Sequence, residues 1–143
     1  MKFKNYLYEE SIDDDRIKKK TLTLYHGTKI ENVDKILKGG FRLIYTKPRF
    51  TNDYAVSSLT TKKGVERYMR RNIAILKFKF SGMVFFYDHF SSGPYAAELS
   101  SSPQAYTRRV LQEGIDASRL YSSRGPFQYF VYNVKKISNI QVV

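Results

Sequence analysis

A histidine followed by a glycine is the first feature of this sequence that could take part in chemistry. Residues 21–25 alternate between polar and apolar side chains, which predicts a half-buried strand, and His26, Gly27 and Thr28 follow directly. We expect these three residues to end the strand in a turn. The imidazole would then be exposed, and a ligand could approach the backbone at Gly27, which has no side chain. Taken alone, the segment is also consistent with an ordinary turn histidine.

The composition excludes several other kinds of site. The chain has 143 residues with no cysteine, and its two histidines are His26 and His89. It therefore excludes a disulfide scaffold, a thiolate zinc site, an iron–sulfur cluster and a cysteine nucleophile, and it argues against a multi-histidine metal site. No glycine-rich phosphate loop of the P-loop or dinucleotide-binding type is present. We expect no metal cofactor.

The elements that must position the histidine follow an α+β pattern in a single domain, residues 1–143, whose residues 1–20 are a charged N-terminal extension. Apolar spacing and capping residues predict three short helices, at residues 32–38, from Thr60 or Thr61 to about residue 71, and from Ser102-Pro103 to Gly114. Alternation and apolar runs predict strands at residues 21–25, 41–45, 73–80, 83–87, 127–132 and 137–143. Loops are expected at residues 46–54 and 89–102.

Charge indicates the kind of partner. Lys and Arg number 25 against 13 Asp and Glu, a net charge of +12, and the isoelectric point is about 9.8. Five of the acidic residues lie within residues 1–15, so the remaining chain is more basic still. A domain this basic is attracted to phosphate backbones, and we favour nucleic-acid contact over a merely lysine-rich surface. No apolar run approaches a membrane span of about 20 residues, and residues 1–15 lack the pattern of a secretory signal. We therefore expect a cytoplasmic protein with no membrane partner.

Several segments, in order, resemble the histidine-containing branch of the ADP-ribosyltransferase family, which diphtheria-type toxins and poly(ADP-ribose) polymerases share. They are Leu-Tyr-His-Gly-Thr at residues 24–28, Asn-Val-Asp-Lys-Ile-Leu at 32–37, Gly-Phe-Arg at 40–42, the helix at 60–69 and Phe-Gln-Tyr-Phe-Val-Tyr-Asn at 127–133. The likeness covers about half of the chain. It implies two small antiparallel sheets that form an NAD+ cleft, flanked by short helices and without a metal.

The resemblance implies a set of NAD+-binding residues. His26 matches the residue that hydrogen-bonds the adenosine ribose, Gly27 matches the residue whose backbone holds the nicotinamide amide, and Thr28 lies beside it. Tyr68 would stack on the nicotinamide ring, as suits an aromatic face and a cationic ring, although a tyrosine there can also anchor an amphipathic helix.

A second tyrosine of the family has no direct counterpart in this chain. Its place falls on Ser57 or Ser58, and Tyr54 could substitute for it if the loop bends. The Ser57-Ser58-Leu59-Thr60 segment also resembles the Ser-Thr-Ser motif of the arginine-containing branch, which leaves the subclass open.

Gln128 occupies the position that matches the family's catalytic glutamate. The reaction breaks the nicotinamide–ribose bond through an oxocarbenium-like state, which a carboxylate stabilises and an amide does not. Three interpretations stay open: a natural NAD+-binding relative without activity, an enzyme that uses another carboxylate such as Glu113 or Asp116, or a form of an active enzyme inactivated by a Glu→Gln change. We favour the last. His26 and Gln128 are thus the expected catalytic positions.

The segment before Gln128 is expected to be the loop that binds the acceptor, at about residues 117–127. Arg119, Tyr121 and Arg124 suit phosphate contact and base stacking. Pro126 stands where arginine-modifying members carry a second glutamate, which argues against arginine on a protein as the acceptor. With the charge, this favours nucleic acid, RNA over DNA.

A small basic transferase of this kind resembles the intracellular toxins of toxin–antitoxin or antiphage systems, which implies a neutralising antitoxin partner. Three alternatives remain: an ADP-ribosyltransferase that modifies protein, a non-catalytic nucleic-acid-binding module, and a tRNA 2′-phosphotransferase. The last also begins with His-Gly-Thr but needs further His and Arg residues, and His89 lies in the wrong context for it.

Overall fold

A computed structural model describes residues 16–43, 55–67, 72–87, 102–120 and 128–143. In this part of the chain the strands are β1 Ile17–Lys29, β2 Val56–Leu59, β3 Ile73–Tyr87, β4 Ala117–Leu120, β5 Gln128–Val131 and β6 Ile137–Val142. The α-helices are α1 Val33–Gly39, α2 Lys62–Glu66 and α3 Pro103–Gln112, and short 3-10 turns cover Ile30–Asn32 and Val134–Lys136.

Five of these strands form a closed ring. The order is β1-β2-β5-β4-β3, and β3 also pairs with β1 along the whole length of β1, which closes the circle. β6 adds to the other side of β3. All the pairings are antiparallel except that of β3 with β4, which is parallel. The strands therefore form one mixed β-barrel with β6 attached outside the ring.

This architecture corrects the expected fold class. The predicted α+β arrangement of two small antiparallel sheets around an NAD+ cleft is wrong, because the described strands join into one closed, mixed barrel with three short helices. The physical reason is the length of β3, whose fifteen residues reach β1, β4 and β6 together. A sheet whose strands pair in a ring has no gap between two halves.

Two hydrophobic clusters lie on opposite faces of the barrel wall. We call the side that carries Leu24 and Phe78 the inner face; its buried residues form the main core. The other side is the outer face, where α3 packs through Tyr106 and Val110 against Phe130 and other apolar residues. Because side chains alternate along a strand, this assignment fixes the face on which each functional side chain lies.

The predicted turn at residues 26–28 is wrong. His26, Gly27 and Thr28 continue β1, paired with Leu76, Ile75 and Ala74 of β3. A glycine would ordinarily weaken a strand, but here a thirteen-pair ladder with a strongly apolar partner strand outweighs that preference.

β3 is likewise one strand where two were predicted. Ser81 and Gly82 pair with Thr21 and Lys20 and carry the ladder straight through the expected break. Gly82 marks a close approach and not a turn, because a Cβ at this position would lie 2.6 Å from the carboxylate Oδ2 of Asp116.

The helix starts follow the predicted capping chemistry. Thr61 Oγ1 accepts from the Gly64 N–H at 2.9 Å and Ser102 Oγ accepts from the Ala105 N–H at 3.1 Å, each at the N-terminus of its helix. α3 begins with a proline, as predicted, and is followed by Gly114 at φ 85°. α2 ends at Glu66, earlier than expected, and residues 68–71 lie outside the described residues.

Three further predictions concern loops and short strands. Residues 41–43 form no regular element, so the strand predicted at 41–45 is wrong over its described part. The predicted acceptor loop at 117–127 is also corrected, because its first four residues are the paired strand β4. The loop predicted at 46–54 lies outside the described residues, as does nearly all of the one at 89–102.

Candidate functional site

Three residues from distant parts of the sequence meet on the barrel wall. His26 Nδ1 lies 2.6 Å from the carbonyl oxygen of Ser57, and the Gln128 Nε2–H donates to Ser57 Oγ at 3.0 Å. His26 comes from β1, Ser57 from β2 and Gln128 from β5, three strands that are neighbours in the ring. The barrel thus brings together the histidine and the glutamine that the sequence selected, with a serine between them.

The His26 ring is held on the inner face of the wall. It packs edge-on against Phe41, with 5.3 Å between ring centroids, and Phe41 in turn packs against Phe78. Because a carbonyl oxygen only accepts hydrogen bonds, the Nδ1 that faces Ser57 carries a proton. Neutral His26 is therefore the Nδ1–H tautomer, and its Nε2 is left as an acceptor. An Nε2 acceptor is the form of histidine that a sugar hydroxyl can donate to.

Burial keeps His26 neutral. Removal from water lowers the pKa of the imidazole below 6.5, and the hydrogen bond to the Ser57 carbonyl opposes that shift only in part. The hydrogen bond also ties β1 to β2, which otherwise meet at the Tyr25–Leu59 pair. His26 therefore joins two strands and presents a neutral ring at physiological pH.

The lowered pKa of His26 predicts a loss of stability in mild acid. The unfolded chain takes up a proton near pH 6.5, whereas the folded chain does so only at lower pH, so acid favours unfolding. The contribution of His26 to the pH dependence is absent above pH 6.5 and grows as the pH falls toward the folded pKa. Urea unfolding at pH 7.5 and 5.5 measures it. His26→Gln, whose amide keeps an N–H donor but does not titrate, should show a smaller change between the two pH values, and an equal change would contradict the assignment.

Gln128 and Ser57 lie on the outer face. Ser57 is exposed, whereas Val56 and Ser58 on either side of it are buried. The bond from Nε2 fixes the orientation of the Gln128 amide, so that its Oε1 is turned away from Ser57. An oriented amide oxygen beside an exposed hydroxyl can accept from one ligand hydroxyl and donate to another polar group. The pair is thus suited to bind a sugar.

The other NAD+ residues implied by the resemblance are placed differently. Gly27 lies in β1 on the outer face, beside the Tyr25–Leu59 crossing. Thr28 follows on the inner side, opposite Ala74. Ser58 points into the core with its hydroxyl on the Val56 carbonyl at 3.4 Å. Two more, Tyr54 and Tyr68, lie outside the described residues.

Arg119 is the one predicted acceptor-binding residue that the structure describes, since Tyr121 and Arg124 lie outside the described residues. Arg119 lies on β4 opposite Tyr129, on the inner face, and its guanidinium carbon is 4.6 Å from the centroid of the Phe86 ring. Burial raises the pKa of Tyr129 above 10.0, while the charge and hydrogen bond of Arg119 act to lower it. The wall of the barrel therefore separates Arg119 from the Gln128 side chain.

Sequence reasoning missed the stack around Phe86. The Lys20 ammonium lies 5.8 Å from the centroid of this ring, and Arg119 contacts the same ring. Both contacts join residues about 35 to 65 positions apart in sequence, so no local pattern could have shown them. Alternation along β1 and β3 places Lys20 and Phe86 on one face, but only the register makes them neighbours.

Neither alternative carboxylate lies beside Gln128. Glu113 is at the exposed end of α3 and pairs with Arg109 at 3.9 Å. Asp116 precedes β4, whose pairing runs from Ala117 opposite Val131 to residue 120 opposite Gln128. Asp116 is therefore at the far end of the β4–β5 pair, about 13 Å along the strand.

Two kinds of feature are absent from the described residues. Within the described ranges, no three His, Asp or Glu side chains lie together in a way that could hold a metal ion. None of the helices in the same ranges combines the length and the apolar character needed to cross a membrane.

No protein-family model matches the chain, and no curated protein matches it either.

Proposed function

We propose that the chain binds NAD+ on the outer face through Gly27, Ser57 and Gln128, with His26 positioning Ser57 from the inner face, and that it belongs to the ADP-ribosyltransferases that modify nucleic acid. One observation carries the proposal. The residues selected by the resemblance at positions 26 and 128 lie far apart in sequence, yet both hydrogen-bond to Ser57, at 2.6 and 3.0 Å. The proposal rests on this convergence and on no likeness of the overall fold, which differs from the expected one.

The groups at the site fit the parts of NAD+ that the proposal assigns to them. His26, on the inner face, donates its Nδ1–H to the Ser57 carbonyl and so holds Ser57 in place from the other side of the wall. Gly27 has no side chain and is partly exposed, which would let the nicotinamide amide approach its backbone. The Gln128 amide is oriented by Ser57 and offers its oxygen to the 2′-hydroxyl of the nicotinamide ribose. Each contact is a hydrogen bond to a sugar or an amide, which needs no metal.

Catalysis by this site depends on charge at position 128. NAD+ supplies the ADP-ribosyl group, nicotinamide leaves, and positive charge develops on the ribose. A carboxylate at the end of β5 would stabilise that charge; the amide of Gln128 keeps the hydrogen bond but lacks the charge. We infer that the active form of this protein carries glutamate at position 128 and that the chain with Gln128 binds NAD+ but transfers ADP-ribose slowly.

The acceptor we propose is RNA, in preference to DNA. The chain carries a net charge of +12, which attracts phosphate backbones. Modification of cellular RNA is damaging to the cell that makes the enzyme. The proposal therefore includes a role as a toxin of a toxin–antitoxin or antiphage system, acting in the cytoplasm and neutralised by a partner protein.

Titration of the purified chain with NAD+ by calorimetry tests the binding step. We expect one saturable site. Ser57→Ala removes the acceptor that orients Gln128 and should weaken NAD+ binding by about three- to tenfold, the equivalent of one hydrogen bond. Ser138→Ala, which changes an exposed serine of β6, should leave the affinity unchanged.

Two outcomes would contradict the binding proposal. The first is the absence of any saturable heat of binding with NAD+, when urea unfolding shows that the protein is folded. The second is equal affinity in Ser57→Ala and Ser138→Ala, which would place the nucleotide away from Ser57 and Gln128.

A further inference from the structure

The outer face of β1, β3 and β6 is basic and free of acidic residues. Four lysines of these strands, Lys19, Lys29, Lys77 and Lys79, lie on this face, and the three strands contain no Asp or Glu. Lys79 is exposed and Lys77 partly exposed, both on the outer face of β3. Lys19, also exposed, lies on the same face of β1. Because these strands supply lysines and no carboxylate, they give this face a positive potential.

The same face continues to Gln128. Successive residue pairs run Lys77–Tyr25, Tyr25–Leu59 and Leu59–Gln128, across four neighbouring strands of the ring. Paired residues lie on one face of a sheet, and neighbouring strands are about 4.8 Å apart. Tyr25 is thus about 10 Å from Gln128 and Lys77 about 14 Å, along one row across the outside of the barrel.

We propose that this row is the track along which single-stranded RNA reaches the site at Gln128. This outer track consists of Lys19, Tyr25, Lys77 and Lys79 together with the hydroxyls of Thr21 and Ser81. This inference rests on the proposed function, for which it supplies the binding surface of the acceptor.

The dimensions and chemistry of the outer track fit a single strand. Lys77 and Lys79 are two residues apart on one strand, about 7 Å, which is close to the spacing of phosphates in an extended chain. Tyr25 presents a partly exposed ring between these cations and Gln128, and base stacking on an aromatic ring is a main source of single-strand affinity.

The hydroxyls of the outer track favour RNA. Thr21 Oγ1 and Ser81 Oγ hydrogen-bond each other at 3.1 Å on the outer face of β1 and β3. A hydroxyl pair can both donate to and accept from a ribose 2′-hydroxyl, the group that distinguishes RNA from DNA. Charge complementarity selects nucleic acid, and the hydroxyls select the sugar.

Binding of a fluorescein-labelled, mixed-sequence twelve-nucleotide RNA to the full chain, followed by anisotropy without NAD+, tests the track. The double substitution Lys77→Gln with Lys79→Gln should weaken binding about tenfold near 0.1 M salt. It should also reduce the slope of log affinity against log salt by about 1.4, since each single-strand phosphate contact contributes about 0.7. The matched control, Lys35→Gln with Lys38→Gln on exposed sites of α1, removes the same charge elsewhere.

The track has a second readout in Tyr25. Tyr25→Leu should lose a further fivefold or more in affinity by removing the stacking face, about 1 kcal/mol or more by this conversion. Tyr25→Phe, which keeps the ring, should bind RNA as the unchanged protein does.

Each other outcome overturns the inference. Equal weakening by the two lysine pairs would show unspecific attraction to a basic protein. Equal affinity for a duplex of the same sequence would remove the single-strand assignment, and tighter binding of the DNA strand would remove the assignment to RNA. Because the assay contains no NAD+, a normal NAD+ titration beside a failed RNA titration would reject the track and leave the proposed NAD+ site standing. Normal RNA binding with no NAD+ binding would reject the proposed NAD+ site and leave the RNA-binding track standing.

Discussion

Gln128→Glu is expected to raise the rate of ADP-ribosyl transfer by about a hundredfold or more, the effect of placing one charged group beside a developing cation. The carboxylate would occupy the place of the present amide at the end of β5, where Ser57 Oγ can turn its hydrogen to donate to it. Transfer from labelled NAD+ to total RNA, DNA and protein measures the rate and identifies the acceptor in one experiment.

Gln141→Glu is the matched control for this substitution. Gln141 is exposed on β6 and pairs with Lys77, in the same row across the barrel but several strands from Gln128. Gln141→Glu adds the same negative charge away from the site, so we expect no increase in the rate of ADP-ribosyl transfer. Equal gains in the two variants would show a general effect of net charge and would remove the catalytic role of position 128.

The remaining outcomes separate the candidate functions. If the chain with Gln128 already labels RNA at the rate of the glutamate form, position 128 does not limit the reaction. If protein alone is labelled, the acceptor is protein and the basic surface has another role. If no form consumes NAD+ but RNA is bound, the chain is a nucleic-acid-binding module. In cells, the glutamate form should arrest growth and the chain with Gln128 should not.

The parts of the fold that local chemistry determines were predictable. The start of α3 shows this well: Ser102 caps the helix and a proline begins it, and both features are visible in three consecutive residues. The alternation in β3 likewise placed Phe78 inside and Lys79 outside, as the structure shows. Caps and alternation depend on neighbours in sequence, so a single sequence contains them.

Closure of the barrel was not predictable in this way. The parallel pairing of Val84 with Ala117 joins residues more than thirty positions apart, and the sequence near either residue carries no pattern that predicts the pairing. The turn predicted at residues 26–28 and the gap between the strands predicted at 73–80 and 83–87 each contain a glycine, Gly27 or Gly82, and glycine usually weakens a strand. In the structure both lie in the long β1–β3 ladder, whose many pairs outweigh the local preference of one residue.

The candidate site was predictable in its members but not in its arrangement. The order of short motifs points to His26 and Gln128, whereas Ser57 enters only as one of the two residues at the place of a missing tyrosine. The structure gives Ser57 the central position, because its carbonyl faces His26 and its hydroxyl faces Gln128. A serine that binds through its backbone on one side and its side chain on the other has no signature in sequence.

The second large effect is expected at Asp116, which the structure makes a clamp between strands. Its Oδ2 accepts from the Met83 N–H at 2.8 Å and its Oδ1 from the Asn133 side-chain amide at 2.9 Å, with 8% of the residue exposed. The Asp116 backbone N–H also donates to the Met83 carbonyl, and the Asp116 carbonyl accepts from the Tyr132 N–H. Asp116→Ala removes both acceptors from these partly buried donors and should lower the free energy of unfolding by about 2–4 kcal/mol.

Urea unfolding of three variants checks the clamp. Asp116→Asn keeps one oxygen acceptor and should lose about half as much as Asp116→Ala, whereas Glu113→Ala at the exposed end of α3 should lose less than about 0.5 kcal/mol. A loss below about 1 kcal/mol in Asp116→Ala would contradict the clamp.

Gly82 provides an independent test of the same contact. A Cβ at Gly82 would lie 2.6 Å from Asp116 Oδ2, so Gly82→Ala should displace the carboxylate and destabilise the protein by itself. In the double variant the carboxylate is absent and the added methyl meets less obstruction. The stability lost in the double variant should therefore be smaller than the sum of the two single losses by about 1 kcal/mol or more. Coupling free energies of about 0.5–3 kcal/mol are usual for residues in contact. Simple additivity would show that Asp116 does not occupy the space above Gly82, and the close joining of β3 to the start of β4 would then need another cause.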